Sequence, residues 1–174
     1  MTRALLSIGG NLGDRLTHLR NAVTRLNPAV VRVSGVYETP PWGDAAQPSY
    51  LNAVLIVDDA TVTARDWLTR AQACETAEGR VRDPERRFGP RTLDVDVIAV
   101  WDEGVPVVDD DAELTLPHPR AHLRAFVLLP WHAIEPDAVL PGHGPIAALL
   151  DTPAVVTDLA GVTPRPDLSL ESME

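Results

Sequence analysis

Residues 91–100 read Arg-Thr-Leu-Asp-Val-Asp-Val-Ile-Ala-Val, and their alternation is that of a strand with two unlike faces. Side chains two apart in a strand share a face, so Asp94 and Asp96 point one way, with Cα atoms roughly 6.5 Å apart. Leu93, Val95 and Val97 take the other face, toward a core. A strand of this kind is half of a layered structure and needs a sheet and a helical cover, which the residues upstream supply.

Ala4 to Ile8 is a short apolar run closed by Gly9 and Gly10, a buried strand ending in a turn. From Leu12, apolar residues recur at Leu16, Leu19, Val23 and Leu26, the spacing of one helical face, with Asn11 or Asp14 as the cap. Val30 to Tyr37 is β-rich, and Pro40 and Pro41, which have no N–H to give, stop further pairing. Tyr50 to Val57 is the next strand, joined to the previous one through the loop from Gly43 to Ser49. Thr63 with Asp66 starts a helix carrying Trp67, Leu68, Ala71 and Cys74 on one side and Glu75 and Glu78 in its last turns, with Gly79 as the stop. Leu93 to Val100 then closes the order β, α, β, β, α, β, the split-βαβ arrangement. The expected class is α+β: a ferredoxin-like sandwich, mostly antiparallel, with helices on one face and C-terminal additions, among them a helical stretch near Arg124 to Ile134. The whole of 1–174 is expected to be a single domain, with 151–174 a peripheral tail, partly mobile, rich in Pro, Asp and Glu.

The chain has 174 residues and 45% apolar content, enough for one core and too little for two comfortable domains. Its single Cys74 cannot form an internal disulfide, and no basic segment followed by a long apolar run marks a leader, so a cytoplasmic protein is expected. No apolar stretch approaches the roughly 20 residues that span a bilayer. A formal net charge of −10 repels nucleic acid. Against that background, Arg80, Arg82, Arg86, Arg87 and Arg91 are diluted only by Asp83 and Glu85: five arginines against two acids, a local net charge of +3.

The aspartate pair and this arginine segment carry the chemistry. Two convergent carboxylates are hard oxygen ligands suited to Mg²⁺, and their span can serve two ions about 4 Å apart. An isolated pair on a half-exposed strand would merely be solvated. Guanidinium groups next to it change the balance, because phosphoryl transfer needs metals and arginines aimed at the same phosphate oxygens. The segment from Gly9 to Arg15 lacks the Gly-Lys-Ser/Thr ending of a phosphate loop and is a strand-to-helix turn instead.

Gly9 to Arg15, the run Tyr37-Glu38-Thr39-Pro40-Pro41-Trp42-Gly43, Tyr50-Leu51-Asn52, Arg80 to Asp96, and Leu116-Pro117-His118 with Arg124 and Phe126 occur in an order and spacing that resemble the hydroxymethyldihydropterin pyrophosphokinases. The resemblance covers Ala4 to Pro141 and is most specific from Phe88 to Asp96. It implies transfer of the β,γ-pyrophosphoryl unit of ATP to a pterin hydroxymethyl group with release of AMP, and two Mg²⁺ ions on Asp94 and Asp96. It also implies a pterin ring between Tyr50 and Phe126, with Thr39, Pro40, Trp42 and Asn52 around it. Catalytic arginines would be Arg80 and Arg91. The nucleotide would meet Gln72, Glu75, Arg82, Arg91, Val97, Thr115, His118 and Arg124. Both substrates are small molecules, and a monomer is expected. Gly10 stands where relatives commonly have Ser, Phe88 where some have Trp, and Glu113 where some have a basic residue, and the stretch from Arg82 to Phe88 is one residue longer than usual.

On the same residues, Arg80 to Pro90 is expected to be ordered by nucleotide, so that ATP binds before the pterin. Two rival classes use the same features: a Mg²⁺-dependent phosphohydrolase, and a non-catalytic ferredoxin-like module, whose RNA-binding form is opposed by the acidic charge and the lack of an aromatic ribonucleoprotein motif.

Overall fold

The computed structural model describes residues 1–41, 46–80, 85 and 90–171. The strand begun by the first apolar run is longer than its core, β1 from Thr2–Gly10, and lies between two antiparallel neighbours. It is followed by α1 (Arg15–Leu26), β2 (Val30–Val33), β3 (Tyr37–Thr39), β4 (Tyr50–Asp59), α2 (Ala64–Ala77) and β5 (Asp94–Asp102). β4 and β5 flank β1, and β2 and β3 both pair with the outer edge of β4, in the strand order of the split-βαβ arrangement.

Helix α1 starts three residues after Leu12, at a cap formed by Asp14, whose carboxylate accepts from Thr17 N at 3.1 Å. Asn11, the other candidate, has a different task described below. Helix α2 opens with the reciprocal Thr63 and Asp66 capping box and stops before Gly79, at φ +76°, where a side chain would be strained. Both helices lie on one face of the sheet over Ala4, Leu6, Ile8, Leu55, Val95 and Val97. Trp67 is fully buried there, and its indole N–H donates to Thr2 Oγ1 at 2.9 Å, which satisfies the one polar atom of the ring.

The reading of 30–37 as one strand is corrected by a break at Ser34. Ser34 N donates to Val54 O at 3.0 Å, and its hydroxyl oxygen accepts from Val54 N at 2.9 Å. The side chain takes the place of a ladder carbonyl, and the chain re-enters the sheet as β3.

Beyond β5 come β6 (Val105–Pro106), a small hairpin of β7 (Asp109–Asp110) with β8 (Thr115–Leu116), α3 (Ala125–Ile134), a second hairpin of β9 (Val139–Leu140) with β10 (Gly144–Pro145), α4 (Ile146–Leu149), α5 (Pro153–Leu159) and β11 (Thr163–Pro164). The C-terminal additions cover the second face of the sheet: Leu5, Val54, Ile56 and Ile98 pack against Val127, Leu128 and Trp131 of α3. Helices therefore lie on both faces, two from the βαββαβ unit and three from the additions. Val155, Leu159 and Val162 join this layer, while Leu168 and Leu170 pack on the first face beside α1, so 151–171 is anchored on both sides, contrary to the peripheral reading. Val155 is fully buried, Leu170 is buried, and β11 pairs with β3. None of the described helices is long and apolar enough to cross a membrane.

Candidate active site

One end of β1, β4 and β5 opens into a cavity of about 1510 Å³ between the sheet and the C-terminal layer. That is more space than one small ligand needs and enough for two side by side. Asp94 and Asp96 both line it, on the face of β5 opposite Val95 and Val97, as the alternation required.

The two carboxylates differ in their partners. Arg80 Nη1 donates to Asp94 Oδ1 at 2.8 Å, and Arg91 Nη1 donates to Asp94 Oδ2 at 3.0 Å. Burial works to raise the Asp94 carboxyl, but these two guanidiniums outweigh it and hold it below the ordinary value. Among the described residues, Asp96 is ion-paired with Arg124, at 3.6 Å. Its burial, and next the negative charge of Asp94, push its carboxyl up to about 7. The second charge of this pair is thus poorly tolerated, which is the condition a bound cation relieves.

Glu75 reaches the same place from α2. It accepts from Val95 N at 3.1 Å and is ion-paired with Arg80, whose own N–H donates to the Glu75 carbonyl at 3.1 Å. Burial raises its carboxyl to about 7. Arg80 therefore stands anchored between α2 and β5.

The far wall comes from the segment after β8. His118 N donates to Ile98 O at 2.7 Å, which fixes this segment against β5. His118 Nδ1 accepts from Arg120 N at 3.2 Å. Burial, and then Arg124, lower the imidazole to about 4, so at neutral pH it is uncharged and presents Nε2–H as a donor. Arg124 lies over the Phe126 ring, 5.4 Å from its centroid, and its guanidinium pKa is lowered by burial.

Tyr50, Asn52, Thr39 and Pro40 line the opposite end, and Asn52 Nδ2 donates to Thr39 Oγ1 at 2.8 Å. Phe126 closes that end from α3, and Gln72 lines the α2 side. Thirteen of the expected site residues therefore meet around one space: Thr39, Pro40, Tyr50, Asn52, Gln72, Glu75, Arg80, Arg91, Asp94, Asp96, His118, Arg124 and Phe126. Two do not. Val97 is in the core beneath the sheet, and Thr115 lies in β8, its hydroxyl donating to Asp111 O at 3.0 Å. Trp42, Arg82 and the ordering of Arg80 to Pro90 lie outside the described residues, Arg80, Glu85 and Pro90 excepted.

Sequence reasoning missed Asn11. Its N–H donates to Arg91 O and its Oδ1 accepts from Arg91 N, both at 2.9 Å, while Nδ2 donates to Gln47 Oε1 at 2.9 Å and Pro48 O at 3.1 Å. One buried amide thus ties the segment carrying Arg91 to the segment preceding Tyr50. Beside it Gly10 leaves no room for a side chain: a Cβ would lie 2.2 Å from Thr92 O. Glu113 does line the cavity, paired with Arg65 at 3.2 Å, and Arg120 lines it as well.

A family model described as 7,8-dihydro-6-hydroxymethylpterin-pyrophosphokinase (HPPK) matches residues 5–136, a span that includes every strand and helix carrying the carboxylates and arginines above. The chain belongs to this family. Among its curated relatives, a 2-amino-4-hydroxy-6-hydroxymethyldihydropteridine pyrophosphokinase of Mycobacterium tuberculosis is 51% identical over 158 residues, covering 86% of this chain and 83% of the relative. One of Methylorubrum extorquens is 44% identical over 147 residues, covering 82% and 89%. Among solved structures, a Plasmodium falciparum HPPK-DHPS triple mutant with STZ-DHP superposes on 94% of this chain with a TM-score of 0.63 at 11% identity, and an HPPK-DHPS in complex with substrates on 85% with a TM-score of 0.61 at 10% identity. These show the fold. The HPPK family chain described here spans 46% and 42% of those two longer chains.

Proposed function

We infer that this chain transfers pyrophosphate from ATP to 6-hydroxymethyl-7,8-dihydropterin, giving the pterin diphosphate and AMP, a step of folate biosynthesis. The observation that carries this is the meeting, in one cavity, of the Asp94 and Asp96 carboxylates, four cationic or N–H-donating side chains (Arg80, Arg91, Arg124 and His118), and a separate end lined by Tyr50, Asn52, Thr39 and Phe126. The first group suits a polyphosphate and the second a flat heterocycle with a hydrogen-bonding edge.

The donor set fits Mg²⁺, because two carboxylates on one strand face, one of them resisting ionisation beside the other, leave the remaining positions of an octahedral ion to phosphate oxygens and water. We propose two such ions, held by Asp94 and Asp96, which would neutralise phosphate charge and render the pterin hydroxyl more acidic. The chain's own residues supply the rest. Arg80 and Arg91, now on Asp94, are placed to turn to phosphate oxygens once that carboxylate has another partner, and His118 Nε2–H and Arg124 approach from the opposite wall. Tyr50 and Phe126 hold the pterin ring, and Asn52 orients its edge with Thr39. Holding the hydroxyl oxygen in line with the β-phosphorus accounts for most of the rate in a reaction of this kind, and no protein nucleophile is required. We assign the protein to the cytoplasm as a monomer.

The test is product analysis. Incubation with ATP and Mg²⁺ should give AMP only when the pterin is added, in a one-to-one ratio with pterin diphosphate. Nucleotide hydrolysis at the same rate without pterin would instead make it a phosphohydrolase.

A further inference from the structure

The residues from Asp158 to Arg165 touch both walls of the slot assigned above to the pterin, although they lie far from either wall in sequence. On one side Asp158 Oδ2 accepts from Ala125 N at 2.9 Å, at the first turn of α3 and next to Phe126. On the other, Gly161 abuts Pro40 so closely that a Cβ there would lie 3.2 Å from Pro40 Cδ. β11 then pairs with β3, setting Thr163 opposite Glu38 and Pro164 opposite Tyr37, and Arg165 N donates to Val36 O at 2.8 Å.

The anchoring on that side is also ionic. Glu38 lies between Tyr37 and Thr39 and points away from the cavity, where Arg15 Nη1 donates to its Oε2 at 2.8 Å and Arg165 Nη1 to the same oxygen at 3.3 Å. Arg15 Nη1 donates in addition to Ser49 O at 2.9 Å, so the chain leaving β3 and the chain returning to β4 are tied to one guanidinium. Arg165 is itself held by Asp167 through two bonds of 3.0 and 2.8 Å. β3 is only three residues long and would otherwise be a sheet edge with β4 on one side alone.

We propose that Asp158 to Arg165 is a strap that fixes the Phe126 face of the heterocycle slot relative to its Thr39 edge, with Asp158 and Arg165 as positioning residues for pterin binding: Asp158 sets the Phe126 face and Arg165, through Glu38, sets the Thr39 edge. The proposal rests on the pterin reading of the slot. Arg165 acts from outside the cavity, through Glu38, whereas Asp158 and Gly161 line the cavity itself, with Asp158 Oδ2 engaged by Ala125 N. A flat ring meets its stacking face and its hydrogen-bonding edge together only at one relative placement of the two, so loosening either anchor weakens the ring's binding and leaves the phosphate end, built from β5 and α2, as it was.

The experiment measures binding of 6-hydroxymethylpterin in the presence of an unreactive ATP analogue and Mg²⁺, binding of that analogue alone, and thermal stability, for the full chain and for Asp158→Ala, Asp158→Asn and Arg165→Gln. Asp158→Ala and Arg165→Gln should each weaken pterin binding about 5- to 10-fold, the effect of losing one hydrogen-bonded anchor, with analogue binding within about twofold of the unmodified protein. Asp158→Asn, whose amide oxygen still accepts from Ala125 N, should restore pterin binding. Unchanged pterin binding in both Asp158→Ala and Arg165→Gln overturns the strap, as does a parallel fall in pterin binding, analogue binding and melting temperature, which is a purely structural effect. Failure of the unmodified protein to bind pterin overturns the function reading itself and is seen before any variant is made.

Discussion

Replacing Asp96 by Asn should make the resting protein more stable at mildly alkaline pH while removing its activity. The Asp96 carboxyl is pushed from an ordinary 3.8 up to about 7, first by burial and then by the charge of Asp94. Its folded-state value lies above its unfolded one, so between about pH 4 and 7 the folded protein keeps a proton that the unfolded chain has released, and stability falls as pH rises through that window. At 1.36 kcal/mol for each tenfold step, ionised Asp96 costs the fold about 4 kcal/mol at alkaline pH. Asn removes that cost but gives up the contact with Arg124 at 3.6 Å, leaving a net gain of about 1–3 kcal/mol. The gain should shrink steadily toward about pH 4, where the native carboxyl is protonated and the unfolded one is about half so. Denaturant unfolding of both proteins, with chelator present, across about pH 4.5 to 8 reads the difference directly. A variant less stable than the parent at the alkaline end, or a difference that does not change with pH, would refute the claim that Asp96 is held against its charge. Glu75, also raised to about 7, adds a slope of the same sign that survives in the variant.

Other perturbations separate the roles of neighbouring residues. Asp94→Asn removes the carboxylate that holds Arg80 and Arg91 and should lower kcat at least about 100-fold with a folded protein by circular dichroism; turnover near the parent's would end its metal assignment. Phe126→Ala should weaken pterin binding about tenfold by calorimetry, the worth of an aromatic contact, with a smaller change in nucleotide binding. Loss of folding in that variant would make Phe126 a core residue. Gly10→Ala forces a methyl group to within 2.2 Å of Thr92 O unless the backbone moves, and should cost about 1–3 kcal/mol in unfolding experiments while disturbing the adjacent Arg91; a fully stable and active variant would show that β1 and the segment before β5 separate easily there.

Local patterns made much of this molecule legible. The 3.6-residue period from Leu16 to Leu26 and the Thr63 and Asp66 capping box are read within a dozen residues, and the alternation through Asp94 and Asp96 places both acids on one face without further information. What stayed hidden depends on partners distant in the chain. Ser34 breaks a strand because its hydroxyl takes the Val54 N–H, and nothing beside Ser34 in sequence announces that. Asn11 sits in a turn where a helix cap is the nearer explanation, yet its amide serves Arg91, Gln47 and Pro48. The segment after Asp151 is rich in Pro and acids, which suggested the periphery, but Val155 and Leu170 anchor it in the core and β11 gives it a place in the sheet. Val97, which the resemblance gives to the nucleotide, keeps its side chain in the core as the alternation requires, which leaves its backbone for any such contact.

The central claim is that Asp94 and Asp96 gather metal and phosphate beside the pterin slot. A crystal structure of the full chain with an unreactive ATP analogue, Mg²⁺ and 6-hydroxymethylpterin tests it most directly. Both carboxylates should lie in the coordination shell of magnesium, Arg80 and Arg91 should have moved from Asp94 to phosphate oxygens, and the pterin should lie between Tyr50 and Phe126. Nucleotide bound with Asp94 still paired to both arginines, and no magnesium on either aspartate, would contradict it.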